Sequence, residues 1–290
     1  MKPARPLIKA CLELCKVPIA FSATSSVATG YLLASHRATG GMIGITLGVF
    51  LLAGGSCALN QYIERDIDAC MDRTKGRPIP SGRISPACAL VFSLVLTAAG
   101  LFLIAMAASG PEAAIAGLFA AVWYNGVYTP LKRKTAFAAV PGALTGAIPP
   151  ALGWLAAGAH FPNSGIIFLC SLFFIWQVPH YWLLLIRYGR EYEKAGLPSL
   201  TSRLSPAQFM RISSVWVCAT AIGGLLTFLY GLVSSLVAAC LVFAGSLLLV
   251  HRGIKTAMGA YGSALPLFNS VNFYMLFVLS IVSLERLVFS

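Results

Sequence analysis

Residues 42–78 read MIGITLGVFLLAGGSCALNQYIERDIDACMDRTKGRP. The first 19 of them, 42–60, carry no charge, and the next 18 hold four acids and four bases. A helix needs about 20 apolar residues to cross a bilayer, so this stretch predicts one membrane span that ends in a dense polar cluster. Working outward, eight further segments have the same apolar length: 17–35, 87–108, 112–130, 138–158, 165–186, 212–231, 233–250 and 266–286. None alternates polar with apolar residues as a barrel strand does. The expected fold is therefore all-α, a polytopic integral membrane protein of about nine transmembrane helices. The connections are short except around 61–86, 187–211 and 251–265, which leaves no room for a second globular unit. Residues 1–290 are expected to form a single membrane-embedded domain.

Composition agrees. Of 290 residues, 58% are hydrophobic and 10% charged, and the mean hydropathy is +0.81; soluble domains are about 25% charged. A net charge of +12 would suggest nucleic acid in a soluble chain, but the positions of the charges decide otherwise. Nineteen of the 21 Lys and Arg residues fall on one side, in the N-terminal segment and the loops after helices 2, 4, 6 and 8. Only Arg37 and Arg286 fall on the other. By the positive-inside rule the basic side is cytoplasmic, so the N-terminus is expected inside and the C-terminus outside. The basic excess then marks topology, with anionic lipid or ligand as partner and no nucleic acid. The first apolar run follows four basic residues without a small-residue cleavage site, so no removable signal peptide is expected. The eight cysteines are scattered, without a CxxC pair, and read as small buried hydrophobes.

Seven of the nine acids share the basic side, six of them in the loops after helices 2 and 6. Acid clustered with base at two places four helices apart suggests two halves of one site. In the first cluster Asn60, Glu64, Asp68 and Asp72 recur every four residues. If the helix continues they share a stripe, with Asp66 near the opposite side. Such oxygen donors suit a hard divalent cation, and Mg²⁺ takes carboxylates together with substrate phosphates. Arg73, Lys75 and Arg77 follow at once as cations for phosphate oxygens. Carboxylates for metal beside cations for phosphate predict a diphosphate site. The competing reading is a solvated loop of local salt bridges, which fits less well because polar groups ending an apolar span are costly unless partnered.

This Asn-x-x-x-acid-x-x-x-Asp run with a downstream Arg-Thr resembles the first aspartate-rich motif of the UbiA-type intramembrane prenyltransferases. That family attaches a prenyl chain from a prenyl diphosphate to an aromatic or macrocyclic acceptor, with Mg²⁺. Glu64 stands where the family usually has Asp. The second cluster, Trp176-Gln177-Val178-Pro179-His180-Tyr181, followed by Glu191-Tyr192 and Ala195-Gly196-Leu197-Pro198, resembles the haem-farnesylating branch. So does Tyr128-Thr129-Pro130-Leu131-Lys132-Arg133-Lys134-Thr135, with Gly142, Gly146, Pro149, Pro150 and Gly153 beyond it. The resemblance covers residues 12 to about 205.

It implies a UbiA-like bundle that joins farnesyl diphosphate to a vinyl group of haem B, with water, to give haem O and diphosphate. Asn60, Glu64, Asp68 and Glu191 would be the catalytic and Mg²⁺-holding residues, and Arg73, Lys75 and Lys132 would bind diphosphate. His180 and Trp176 are candidates for holding haem. His180 has an equal structural reading, a hydrogen-bonded support for the helix after Pro179. Pro141, Pro149 and Pro150 should break or kink helix 5. The implied setting is the cell membrane, with the active site near the cytoplasmic face and a terminal oxidase or haem A synthase downstream. The rivals are transfer to another acceptor, such as a quinone precursor, and a haem-binding transporter or chaperone.

Overall fold

In the computed structural model residues 4–259 and 264–288 are described, with side chains from residue 7. Lys2 of the basic count lies outside them. The chain runs α1 (Ala4–Cys15), α2 (Val17–Ser35), α3 (Gly40–Ile63), α4 (Arg65–Cys70), α5 (Pro86–Ala107) and α6 (Glu112–Val122). A π-helical turn, Trp123–Tyr128, leads into α7 (Thr129–Leu131), α8 (Ala139–Gly142) and α9 (Leu144–Ala156). Then come α10 (Ser164–Lys194), α11 (Pro206–Leu226), α12 (Leu236–Ala257) and α13 (Ala264–Val288).

Seven of these, α2, α3, α5 and α10–α13, are long and apolar enough to cross a membrane. The protein is a multi-pass, all-α membrane protein. The remaining two of the nine expected spans are helical but interrupted. The segment 112–130 passes through the π turn, where the ladder widens by one residue. The segment 138–158 is divided at Ala143. The interruption does not fall at Pro149–Pro150, which lie inside α9 and are buried. Packing overrides the local rule there, as it does where a membrane helix is covered by protein.

Serines and an asparagine start several helices by accepting backbone N–H bonds: Ser85 from Cys88, Asn163 from Gly165, Ser235 from Ala238, and Ser205 in a reciprocal box with Gln208. Val27, Ile45, Leu52, Ile104 and Leu152 form one core between α2, α3, α5 and α9. Ile166, Leu172, Val217, Val242 and Val278 form another among α10–α13. The bundle closes where α13 packs on α2, with Thr29 and Ser283 hydroxyls 2.8 Å apart. Two glycines set the closest helix approach. A methyl group at Gly30 would lie 1.9 Å from the Pro150 carbonyl oxygen, and one at Gly153 would lie 2.0 Å from that of Val27. Backbones approach this closely only where small residues line the contact.

The expected end of the sixth span at residue 186 is corrected: α10 runs on to Lys194. Tyr188, Glu191 and Tyr192 therefore sit on a helix that projects past the apolar run. All eight cysteines are free.

Candidate active site at one end of the bundle

The site begins where α1 stops. Lys16 takes a left-handed conformation, φ 46° and ψ 58°, and α2 restarts at Val17. The turn is tied down by Gln61, whose amide Nε2 donates to the Glu13 and Leu14 carbonyls at 3.0 Å. Lys16 Nζ thereby reaches Asn60 Oδ1 at 3.2 Å. Burial pushes the Lys16 ammonium down to about 8, the direction desolvation dictates for a cation.

α3 and α4 are separated by a single residue, Glu64, so the helical stripe nearly continues across the break. Asn60, Glu64 and Asp68 share its buried side, at 1%, 8% and 1% exposure. Asp66 is exposed, as its position on the opposite side predicts. The stripe ends at Met71, which is extended; Asp72 falls beyond it, exposed, and its carboxyl is held below the usual range by the Lys75 ammonium.

Each buried group meets a partner from another segment. Asn60 Nδ2 donates to Thr129 Oγ1 at 3.0 Å, and Thr129 donates to the Tyr124 carbonyl within the π turn at 2.8 Å. Glu64 pairs with Lys132 at 2.5 Å. Arg77 Nη1 donates to both Asp68 oxygens, at 2.7 and 2.6 Å. Arg65, three residues before Asp68 and so within reach of it along a helix, sits beside Asp66 instead, at 3.8 Å. The turn that brings Arg77 back is fixed by Thr74 Oγ1 donating to the Asp68 carbonyl at 2.8 Å.

The two acidic clusters meet. The Arg73 backbone N–H donates to Glu191 Oε2 at 3.0 Å, across 118 residues of sequence. The Arg73 guanidinium lies over the Tyr188 ring, 4.8 Å from its centroid. Lys75 stands apart, exposed and 2.6 Å from Asp72. Glu193 faces away from the first cluster and accepts from Thr201.

Beside Lys132 a small apolar cleft of about 60 Å³ opens between α7–α8 and α10, lined by Tyr128, Ala139, Tyr181, Leu185, Tyr188 and Tyr192. Gly142 lies against the Tyr128 ring and Gly146 against the Gln177 amide. His180 and Trp176 lie on a neighbouring side of α10, 5.2 Å apart between ring centroids, with His180 against Phe268 of α13. Trp182 turns a third way, into Phe209 and Trp216.

Among the described residues no three His, Cys, Asp or Glu side chains are close enough to hold a metal by themselves. The donor set nevertheless fits a shared site. Mg²⁺ takes one or two carboxylates and completes its shell with water and phosphate oxygens, and Asn60, Glu64 and Asp68 offer such oxygens beside the half-buried cations Lys16, Lys132 and Arg77. Lys16 carried no sequence signal, and Thr129 stood within the 128–135 run without a role of its own. A lysine at the edge of an apolar span reads as a snorkelling side chain, and a threonine in one reads as packing.

A polytopic helical bundle with an acid-and-base site at one end, beside an aromatic cleft, is the frame of an intramembrane enzyme for an amphipathic anionic substrate. The chain belongs to the UbiA prenyltransferase family, whose model matches residues 23–278. It is 34% identical over 287 residues to a protoheme IX farnesyltransferase of Oleidesulfovibrio alaskensis, covering 98% of this chain and 99% of that one. It is 43% identical over 190 residues to one of Geobacter sulfurreducens, covering 64% and 68%. The fold is that of a solved structure from work on digeranylgeranylglyceryl phosphate synthase in membranes, with TM-score 0.78, 17% identity and coverage of 97% and 98%. It is also that of a UbiA homologue from Archaeoglobus fulgidus bound to GPP and Mg²⁺, with TM-score 0.63, 17% identity and coverage of 94% and 99%. The protein is a prenyltransferase of this family.

Proposed function

We propose that this chain, as one membrane-embedded domain, is a haem B farnesyltransferase that converts haem B, farnesyl diphosphate and water to haem O and diphosphate. The observation that carries the diphosphate site is the junction of the two clusters, Arg73 N–H on Glu191 with Glu64–Lys132 and Asp68–Arg77 alongside. The end-to-end likeness to a protoheme IX farnesyltransferase supports haem as the acceptor.

Asn60, Glu64, Asp68 and Glu191 would hold Mg²⁺, which supplies charge neutralisation to the diphosphate oxygens. Lys16, Arg77, Lys132 and Arg73 take up the rest of that charge, with Lys75 at the outer edge. These groups are fixed before substrate arrives, so they stabilise charge where it develops on the leaving diphosphate. The allylic C–O bond breaks with both electrons going to oxygen. The vinyl carbon of haem then bonds to the allylic carbon, water adds to the adjoining cationic carbon, and its proton leaves to solvent. The tyrosines of the cleft give the isoprenoid an apolar, π-rich wall, and His180 with Trp176 face the macrocycle.

The one-sided basic charge supports a cytoplasmic site in the cell membrane, with the N-terminus inside and the C-terminus outside. The product would pass to haem A synthase or a terminal oxidase. Labelled farnesyl diphosphate offered with haem B or with a quinone precursor tests the acceptor: label should enter haem B, in a Mg²⁺-dependent manner. Label entering only the quinone precursor would overturn the reading.

A further inference from the structure

His180 on α10 and Asn272 on α13 meet with Nδ1 and Oδ1 2.7 Å apart. The orientation of the asparagine amide is set by its other end. Nδ2 donates to the Phe268 carbonyl oxygen, one turn back on α13, at 2.7 Å. A carbonyl only accepts, so the NH₂ end must face Phe268 and the oxygen end must face His180. An amide oxygen also only accepts, so the proton between the two residues is on Nδ1. A neutral imidazole protonated at Nδ1 keeps a lone pair on Nε2.

Nε2 makes no hydrogen bond among the described residues. His180 is only half-buried. Its ring lies 5.2 Å from the Trp176 and Phe268 rings and 5.5 Å from that of Tyr181, between centroids. The neighbouring Trp176 Nε1–H is buried without a partner. A histidine that served only to brace the helices would not leave an open acceptor beside an unused donor inside an aromatic enclosure.

We propose that Asn272 is a positioning residue that holds His180 in the Nδ1–H form, so that Nε2 is presented as a ligand to the iron of the haem acceptor. Histidines that bind metals characteristically give their other N–H to a fixed oxygen, which locks the tautomer and the ring orientation. Asn272 supplies that oxygen, itself locked by the Phe268 carbonyl. The inference rests on the haem-acceptor reading above and adds the residue that orients the ligand.

The test is a titration of the detergent-solubilised full chain with ferric haem B, followed by absorption and electron paramagnetic resonance spectra of the iron. The unaltered chain should show histidine ligation. Asn272→Leu should lose that signature and bind haem about ten- to a hundredfold more weakly, whereas Asn272→Asp, which keeps an acceptor oxygen, should retain it. A second comparison does not depend on the folding of the leucine variant. In His180→Ala, added imidazole should restore the ligated spectrum at about a tenfold lower concentration than 1-methylimidazole, which can bind iron but has no N–H for Asn272. An unchanged spectrum and affinity in Asn272→Leu, or equal rescue by the two imidazoles, would overturn the role of Asn272 and leave the haem reading standing. Haem binding by the unaltered chain without a histidine signature would do the same. No haem binding by the unaltered chain would overturn both.

Discussion

The Asp68–Arg77 pair separates a substrate site from an ordinary salt bridge. Arg77 Nη1 contacts both Asp68 oxygens, and the side chains are 2% and 21% exposed for Asp68 and Arg77. Arg77→Ala strands a buried carboxylate, which costs about 3–4 kcal/mol. Asp68→Ala strands a guanidinium that is one fifth exposed and can turn to water, at a cost of about 2 kcal/mol. At roughly 2–4 °C per kcal/mol for a chain of this size, Arg77→Ala should lower Tm by about 10 °C and Asp68→Ala by about 5 °C. The double variant should recover about 2 kcal/mol relative to the sum, because neither partner is left alone. Thermal melts of the purified variants in detergent give these numbers. Haem O formation by the same samples gives the second readout, and it should be lost in Asp68→Ala and stay lost in the double variant. Turnover restored together with stability in the double variant would refute the reasoning, since the pair would then be a brace and nothing more.

Four further outcomes are expected. Glu64→Asp should keep turnover and Glu64→Ala should lose it, measured as haem O formed per unit time, because the shorter acid still offers oxygens to the cation and to Lys132. Lys16→Met should weaken Mg²⁺-dependent farnesyl diphosphate binding about ten- to a hundredfold in a direct titration, the worth of one charge-assisted contact. Gly153→Ala should destabilise by about 1–3 kcal/mol in a melt, since its methyl would meet the Val27 carbonyl oxygen at 2.0 Å. Cysteines placed at residues 75 and 195 should react with an impermeant reagent only from the cytoplasmic face, and labelling of either from outside would reject the orientation.

What local sequence reveals here depends on whether the determining contacts are local. Span lengths are, and α2, α3, α5 and α10–α13 appear where the apolar runs predict them. The four-residue spacing of Asn60, Glu64 and Asp68 is also local, and it survives the break at Glu64. Lys16 is different. Its place beside Asn60 follows from a left-handed turn held by Gln61 from another helix, which no window around residue 16 contains. Asp68 finds Arg77 because the chain folds back after Met71, whereas a helical register offers Arg65. The end of α10 was hidden for the opposite reason: residues 187–194 are charged enough to read as a loop, although they continue the helix and carry Glu191 to Arg73. Pro149 and Pro150 break isolated helices, but packing against α2 holds them within α9. The π turn has no periodic signature, yet it supplies the Tyr124 carbonyl on which Thr129, and through it Asn60, is hung.

The most direct test of the account is mass spectrometry of haem recovered after the purified chain is incubated with haem B, farnesyl diphosphate and Mg²⁺ in ¹⁸O-enriched water. The expected product is heavier than haem B by one farnesyl group and one hydroxyl, with the heavy isotope in that hydroxyl, and none forms when Mg²⁺ is chelated or Asp68 is replaced by alanine. Recovery of unmodified haem B from chain that binds both substrates and Mg²⁺ would contradict it.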